Sequence, residues 1–262
     1  MTTAFQGAIF DVDGVLVDTP HERAWRDTLR ALMESDWAGI RAETTWSPEA
    51  FTPQVYQALV SGKPRMSGAR AALDHFGVPD AGARAVEYAD RKQEMVVRLI
   101  EASEFTAYAD ALRFIIAMKD AGLAVAAASS SKNAGLFLRT IRLDTFAAEH
   151  GISSSSVGRG CTLLDFFDAD VSGRDFEHGK PHPEMFLTAA AELGVAPAAA
   201  MVLEDATAGV QAAKAGDMAA IGIARFDDSD LLVAAGADIV VESLDEVDLD
   251  ALAGGRLAKN PS

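Results

Sequence analysis

Six short apolar runs recur along the chain, and several are followed by a stretch of helical periodicity. The runs are Ala8–Phe10, Leu123–Ala128, Ala169–Val171, Ala200–Leu203, Ala219–Ile223 and Ala237–Val241. The amphipathic stretches are Ala109–Ala121, Pro183–Leu193, Ala206–Ala215 and Asp230–Ala235. Strands that alternate with helices of this length build βαβ units, so the pattern predicts an α/β fold with a Rossmann-like parallel sheet. Gly122, Gly194, Gly216 and Gly236 fall where helix C-caps are expected.

Residues 19–103 break this alternation. They offer no convincing strand, and helices are expected over His21–Glu34, Pro53–Val60, Gly68–Phe76 and Ala83–Glu101, with a break at Gly77–Pro79. The chain therefore reads as an α/β core, residues 1–18 and 104–262, interrupted by a helical cap domain, residues 19–103. Trp25, Trp37 and Trp46 are expected to pack between the cap helices.

The chemically loaded residues share one placement: each follows a predicted strand or lies in the loop beyond it. Asp11, Asp13 and Gly14 sit in AIFDVDGVLVDTP, residues 8–20. Ser129, Ser131, Lys132 and Asn133 follow the second run, Lys180 follows the third, and Glu204 and Asp205 follow the fourth. Taken singly, each is ordinary: Asp-x-Asp-Gly is a common turn, the serine run a solvated loop, and Glu-Asp a helix cap. The first is not an EF-hand loop, because its glycine comes too early. In open parallel sheets, however, strand C-termini form the ligand crevice, so these residues are expected to converge.

Converging carboxylates repel, and burying them is costly without a cation. Asp11, Asp13, Glu204 and Asp205 are hard oxygen donors suited to Mg²⁺. Lys180, Ser129 and the amides of the 129–133 turn are expected to hold phosphate oxygens, with Asn133 a further donor. Asp11 is the candidate nucleophile on phosphorus and Asp13 the candidate acid and then base. Gly14 allows the tight backbone path that joins them.

These residues resemble the motifs of the haloacid dehalogenase superfamily. Residues 11–19 resemble its first motif, Ser129 its second, Lys180 its third, and Glu204 with Asp205 its fourth; residues 202–214 follow its final block. The resemblance implies a catalytic core with an inserted helical cap and Mg²⁺-dependent phosphoryl transfer. Asp13 speaks against the dehalogenase branch, which lacks this second aspartate.

Within the superfamily the chain is similar to the β-phosphoglucomutase-like family. His21 resembles a histidine that couples cap position to the acid/base aspartate. Arg65, in the stretch 62–65, resembles an arginine that grips the non-reacting phosphate, and Lys92 a lysine that reaches back to the core. Ser131 and Lys132 are implied to lie near phosphate. The chain departs from the family at Pro20, at Lys63 and Pro64, and in the long segments 35–52 and 150–167.

The resemblance implies a mutase that interconverts β-D-glucose 1-phosphate and glucose 6-phosphate. A phosphatase of a small sugar or polyol phosphate uses the same core residues and is the alternative. A non-catalytic phospho-ligand sensor is a third reading, and keeping both Asp11 and Asp13 argues against it. A net charge of -16 argues against nucleic acid and anionic membranes as partners and leaves a small phosphorylated sugar. The lone Cys161, expected to be a structural thiol, and the lack of a signal-like or membrane-length apolar segment fit a cytoplasmic protein.

Overall fold

The structure, a computed structural model, describes residues 4–60, 63, 65–225 and 228–261. The chain divides into two compact units, Met1–Asp18 with Thr106–Ser262, and Thr19–Phe105.

The first unit is built on a sheet of six parallel strands: β1 (Gly7–Phe10), β4 (Ala124–Ala127), β5 (Ala169–Asp170), β6 (Ala200–Glu204), β7 (Ala219–Ile223) and β8 (Ile239–Val241). Their order is β5-β4-β1-β6-β7-β8. The chain thus builds outward from β1 on one side through β4 and β5, then returns to its other side through β6. That reversal opens a crevice beyond the C-terminal end of β1. Register is tight across the switch: Phe10 pairs with Ala127 on one flank and with Leu203 on the other.

Every residue of β1 and β6 is buried. This is why Gly7–Phe10 and Ala200–Leu203 read as unbroken apolar runs: helices cover both sheet faces. Met185 and Phe186 of a following helix pack with Ile9, Val202 and Val210 in the core. A two-residue antiparallel pair, β2 (Val17–Asp18) with β3 (Thr106–Ala107), lies where the chain leaves this unit and where it re-enters. Strands this short leave no periodicity in the sequence.

The helices of this unit are α5 (Ala109–Asp120), α6 (Ala134–Thr140), α7 (Leu143–Glu149), α8 (Leu163–Phe166), α9 (Glu184–Leu193), α10 (Thr207–Ala215), α11 (Ser229–Ala234) and α12 (Leu249–Ala253). Gly194 caps α9 with φ +68°, and Gly122 and Gly236 follow their helices with φ +83° and +99°. Gly216 departs from the expected left-handed cap. Its φ is -93°, and Asp217 takes the left-handed position instead, with φ 58°. A Cβ on Gly216 would meet Pro183 Cβ at 3.2 Å, so close approach is what this glycine provides.

The second unit holds α1 (His21–Glu34), α2 (Pro53–Leu59), α3 (Arg65–His75) and α4 (Ala81–Glu101). Trp25, Leu29, Leu32 and Met33 of α1 recur at helical spacing and are buried on one stripe. Trp25, Trp37 and Trp46 all enter the core of this unit, together with Phe51, Phe76 and Tyr88. The buried Tyr88 hydroxyl donates to the Trp25 carbonyl at 2.8 Å. The long segment 35–52 thus supplies the core residues Trp37, Trp46 and Phe51, which flank a 3-10 turn at Ala38–Glu43. Of the stretch 62–65, Gly62 and Pro64 lie outside the described residues, while Arg65 opens α3 as an exposed residue.

Candidate active site

The end of β1 delivers the first carboxylate. Asp11 N–H continues the ladder by donating to the Leu203 carbonyl at 3.1 Å, which fixes the backbone and leaves the side chain at the strand terminus. Asp11 is 6% exposed. Its Oδ1 accepts from Lys180 Nζ at 2.7 Å. Lys180 Nζ also donates to Glu204 Oε1 and lies 5.0 Å from the centre of the Phe186 ring. One ammonium therefore bridges two carboxylates from adjacent strands.

Glu204 is the last residue of β6, inside the strand rather than beyond it, and is fully buried. Its Oε2 accepts from Ala206 N–H at 2.9 Å. A carboxylate has about four lone-pair sites, so these contacts leave Glu204 capacity for a cation. Gly209 keeps the space: a Cβ there would fall 1.8 Å from Glu204 Oε1. Gly14 does the same for Asp205, since its Cβ would fall 1.9 Å from Asp205 Oδ2. Gly14 also has φ +80°, and its N–H donates to the Val17 carbonyl at 2.8 Å.

Asp13 and Ser129 join the cluster from neighbouring strands. Ser129 Oγ, 1% exposed, donates to Asp13 Oδ2 at 3.3 Å and accepts from Ser131 N–H at 3.0 Å. Ser131 Oγ in turn accepts from Asn133 N–H at 3.3 Å, where α6 begins. Asn133 is buried. Lys132 Nζ donates to the Gly173 carbonyl at 2.7 Å and to Asp175 at 2.6 Å. The β4 loop thus presents serine hydroxyls and backbone amides, while the lysine braces a neighbouring loop.

Burial pushes the Asp11 carboxyl well above the usual carboxylate range, and the Glu204 and Asp13 charges add to that rise against the opposing pull of Lys180. Asp205 is pushed up in the same way, by burial first and then by the charges of Glu204 and Asp11. Burial works against a charged Lys180, but Asp11 and Glu204 outweigh it and hold the ammonium protonated. Negative charge thus exceeds what one lysine neutralises, and the donors are all hard oxygens. That set fits Mg²⁺ in chemistry and in charge.

A brace behind the first loop has no signal in the sequence. Arg225 donates to the Gly14 and Val15 carbonyls, each at 3.3 Å, and to both oxygens of Asp110 at 2.9 and 3.2 Å. Its guanidinium stacks 3.9 Å from the centre of the Tyr108 ring. Burial alone would raise Asp110, but Arg225 and the Leu244 amide hold it below the usual range. In the sequence Asp110 reads as an ordinary acid in the first turn of a helix.

His21 and Lys92 come together within the second unit. Lys92 Nζ lies 3.3 Å from His21 Nδ1 and 4.9 Å from the centre of the Trp25 ring, and Lys92 is buried.

A family model for haloacid dehalogenase-like hydrolases matches residues 5–217. A β-phosphoglucomutase of Mycobacterium bovis is 35% identical over 92% of this chain and 91% of its own. The fructose-1-phosphate phosphatase YqaB of Escherichia coli is 28% identical over 85% of this chain and 98% of its own. Among solved structures, an archaeal β-phosphoglucomutase from Pyrococcus superposes with a TM-score of 0.69 at 28% identity, covering 95% of this chain and 99% of that one. With the parallel sheet in place, a family model over residues 5–217 and a relative 35% identical along most of both chains, this chain belongs to the haloacid dehalogenase-like hydrolase family.

Proposed function

We propose that the chain transfers phosphoryl groups through Asp11 and acts as a β-phosphoglucomutase, interconverting β-D-glucose 1-phosphate and glucose 6-phosphate. The observation that carries the chemistry is the bridge of Lys180 between Asp11 and Glu204 at the crevice beyond β1. The choice of mutase rests on the 35% identity, along nearly the full length of both chains, to proteins named β-phosphoglucomutase.

Asp11, Asp13, Glu204 and Asp205 are the groups to hold Mg²⁺. The ion would neutralise charge on the acidic pocket and on a phosphate entering it. Lys180 supplies a fixed positive charge beside Asp11, which lets an anionic phosphate approach a carboxylate. The Asp11 oxygen forms a bond to phosphorus as the bond from phosphorus to the sugar oxygen breaks. Asp13 gives a proton to that leaving oxygen, then recovers one from the hydroxyl that attacks in the return step. The Ser129 hydroxyl, held against Asp13, orients the acid. Ser131 and the amides near it are assigned to phosphate oxygens. His21, Lys92 and Arg65 are assigned to the second phosphate and to coupling between the cap and the acid.

A sugar-phosphate phosphatase is the second reading, favoured by similarity to the Escherichia coli fructose-1-phosphate phosphatase and to a phosphorylated carbohydrates phosphatase of Thermotoga maritima. There water takes the place of the returning hydroxyl. The separating experiment supplies β-glucose 1-phosphate, Mg²⁺ and catalytic glucose 1,6-bisphosphate. Glucose 6-phosphate formed in large excess over inorganic phosphate supports the mutase, and phosphate release without isomerisation supports the phosphatase.

A further inference from the structure

The loop that carries Lys180 has a second cluster of metal-type ligands on its outer side. His178, His182 and Glu184 place one ligand atom each within 4.8 Å of the others. His178 Nδ1 lies 3.4 Å from Glu184 Oε2, and His182 Nδ1 lies 4.0 Å from the same oxygen. Tetrahedral Zn²⁺ with bonds of about 2.1 Å sets its ligands ~3.4 Å apart, so small side-chain shifts would close this set on one ion. The two imidazoles already lie face to face, with ring centres 4.4 Å apart and planes tilted by 30°.

One feature prepares the cluster. The Glu184 carboxylate is oriented by backbone amides, accepting from His178 N–H at 2.9 Å and from Glu177 N–H at 3.3 Å, as outer contacts orient metal-binding carboxylates elsewhere. The Glu184 N–H donates to His182 Nδ1 at 3.3 Å, a long contact that an ion on this nitrogen would displace. Both histidine side chains are about half exposed, so an ion has access and a water can complete the coordination.

We propose that His178, His182 and Glu184 form a binding site for a borderline transition metal such as Zn²⁺, separate from the acidic pocket. Two nitrogens and one oxygen favour Zn²⁺ over Mg²⁺, which prefers an all-oxygen shell. The ligands stand on both sides of Lys180, so an ion here fixes the 178–184 segment that delivers the ammonium to Asp11. The site does not depend on which phosphate ester the enzyme uses, or on phosphoryl transfer at all.

Calorimetric titration of the whole chain with Zn²⁺, in excess Mg²⁺, tests the site. The parent should bind one Zn²⁺ per chain, and His178→Ala should weaken that binding about tenfold or more. His182→Gln should do the same, and thermal unfolding without Zn²⁺ checks that each variant is folded. Asp205→Asn should leave the Zn²⁺ affinity intact. Absence of Zn²⁺ binding by the parent would overturn the proposal. So would binding that both folded histidine variants retain, or binding that Asp205→Asn removes, since the ion would then sit among the carboxylates.

Discussion

Replacing Lys180 with Met removes the one ammonium that Asp11 and Glu204 share. Asp11 and Lys180 are 8% and 15% exposed at their side chains, and Glu204 only 1%, so the two carboxylates would be left nearly dry. Deleting one partner of a buried ion pair costs about 3–5 kcal/mol, because the remaining charge loses its compensation. The methionine stem fills most of the lysine volume, so the loss is electrostatic rather than a cavity. A deficit of ~3 kcal/mol corresponds to a fall of about 6–12 °C in Tm for a chain of this size. The pH dependence identifies the cause. The folded-state pKa of Asp11 already lies above its unfolded value and rises further without Lys180. A carboxyl raised in this way binds its proton more tightly when folded, so stability is greatest at low pH and is lost as pH rises toward the folded value. Thermal unfolding of parent and Lys180→Met in chelator should therefore show the deficit at pH 8 and a clear narrowing by pH 5. Equal melting at pH 8, or a gap that does not change with pH, would refute the reasoning.

Mg²⁺ and protons should compete for the same pocket: in the parent, the thermal stabilisation by Mg²⁺ should be larger at pH 8 than at pH 5.5, because Asp11 and Asp205 are raised. A stabilisation equal at both values would place the ion elsewhere. Asp13→Asn should keep the fold and lower sugar-phosphate turnover by about 10²–10⁴-fold, the usual contribution of a general acid, as steady-state kinetics will show. Gly209→Ala should push Glu204 off its contacts with Lys180 and Ala206, since the new Cβ would fall 1.8 Å from Oε1. Overpacking of this kind costs about 1–3 kcal/mol in denaturant unfolding, and weaker Mg²⁺ binding should accompany it.

The parallel sheet is legible because its strands are buried on both faces and so appear as continuous apolar runs bounded by glycines. β1 and β6 match their runs to within a residue, and so does α1. The convergence of Asp11, Ser129, Lys180 and Glu204 follows from one rule about strand ends, and the crevice between β4, β1 and β6 brings them together. What escapes is non-local or too short. The β2–β3 pair has two residues a side, and α6, α7 and α8 are helices of four to seven residues with little room for periodicity. The acid that pairs with Lys132, Asp175, belongs to another loop and is likewise beyond a local pattern. The Arg225–Asp110 brace joins residues 115 positions apart, and no local pattern announces such a partner.

The most direct test of the account is to trap the covalent intermediate. The parent is mixed with Mg²⁺ and glucose 1,6-bisphosphate, quenched in acid and digested, and the peptides are weighed by mass spectrometry. One phosphoryl group on the peptide that contains Asp11, absent from Asp11→Asn, is the expected result. Turnover of sugar phosphate with the group on another residue, or with Asp11→Asn still active, would contradict the claim that Asp11 carries the phosphoryl group.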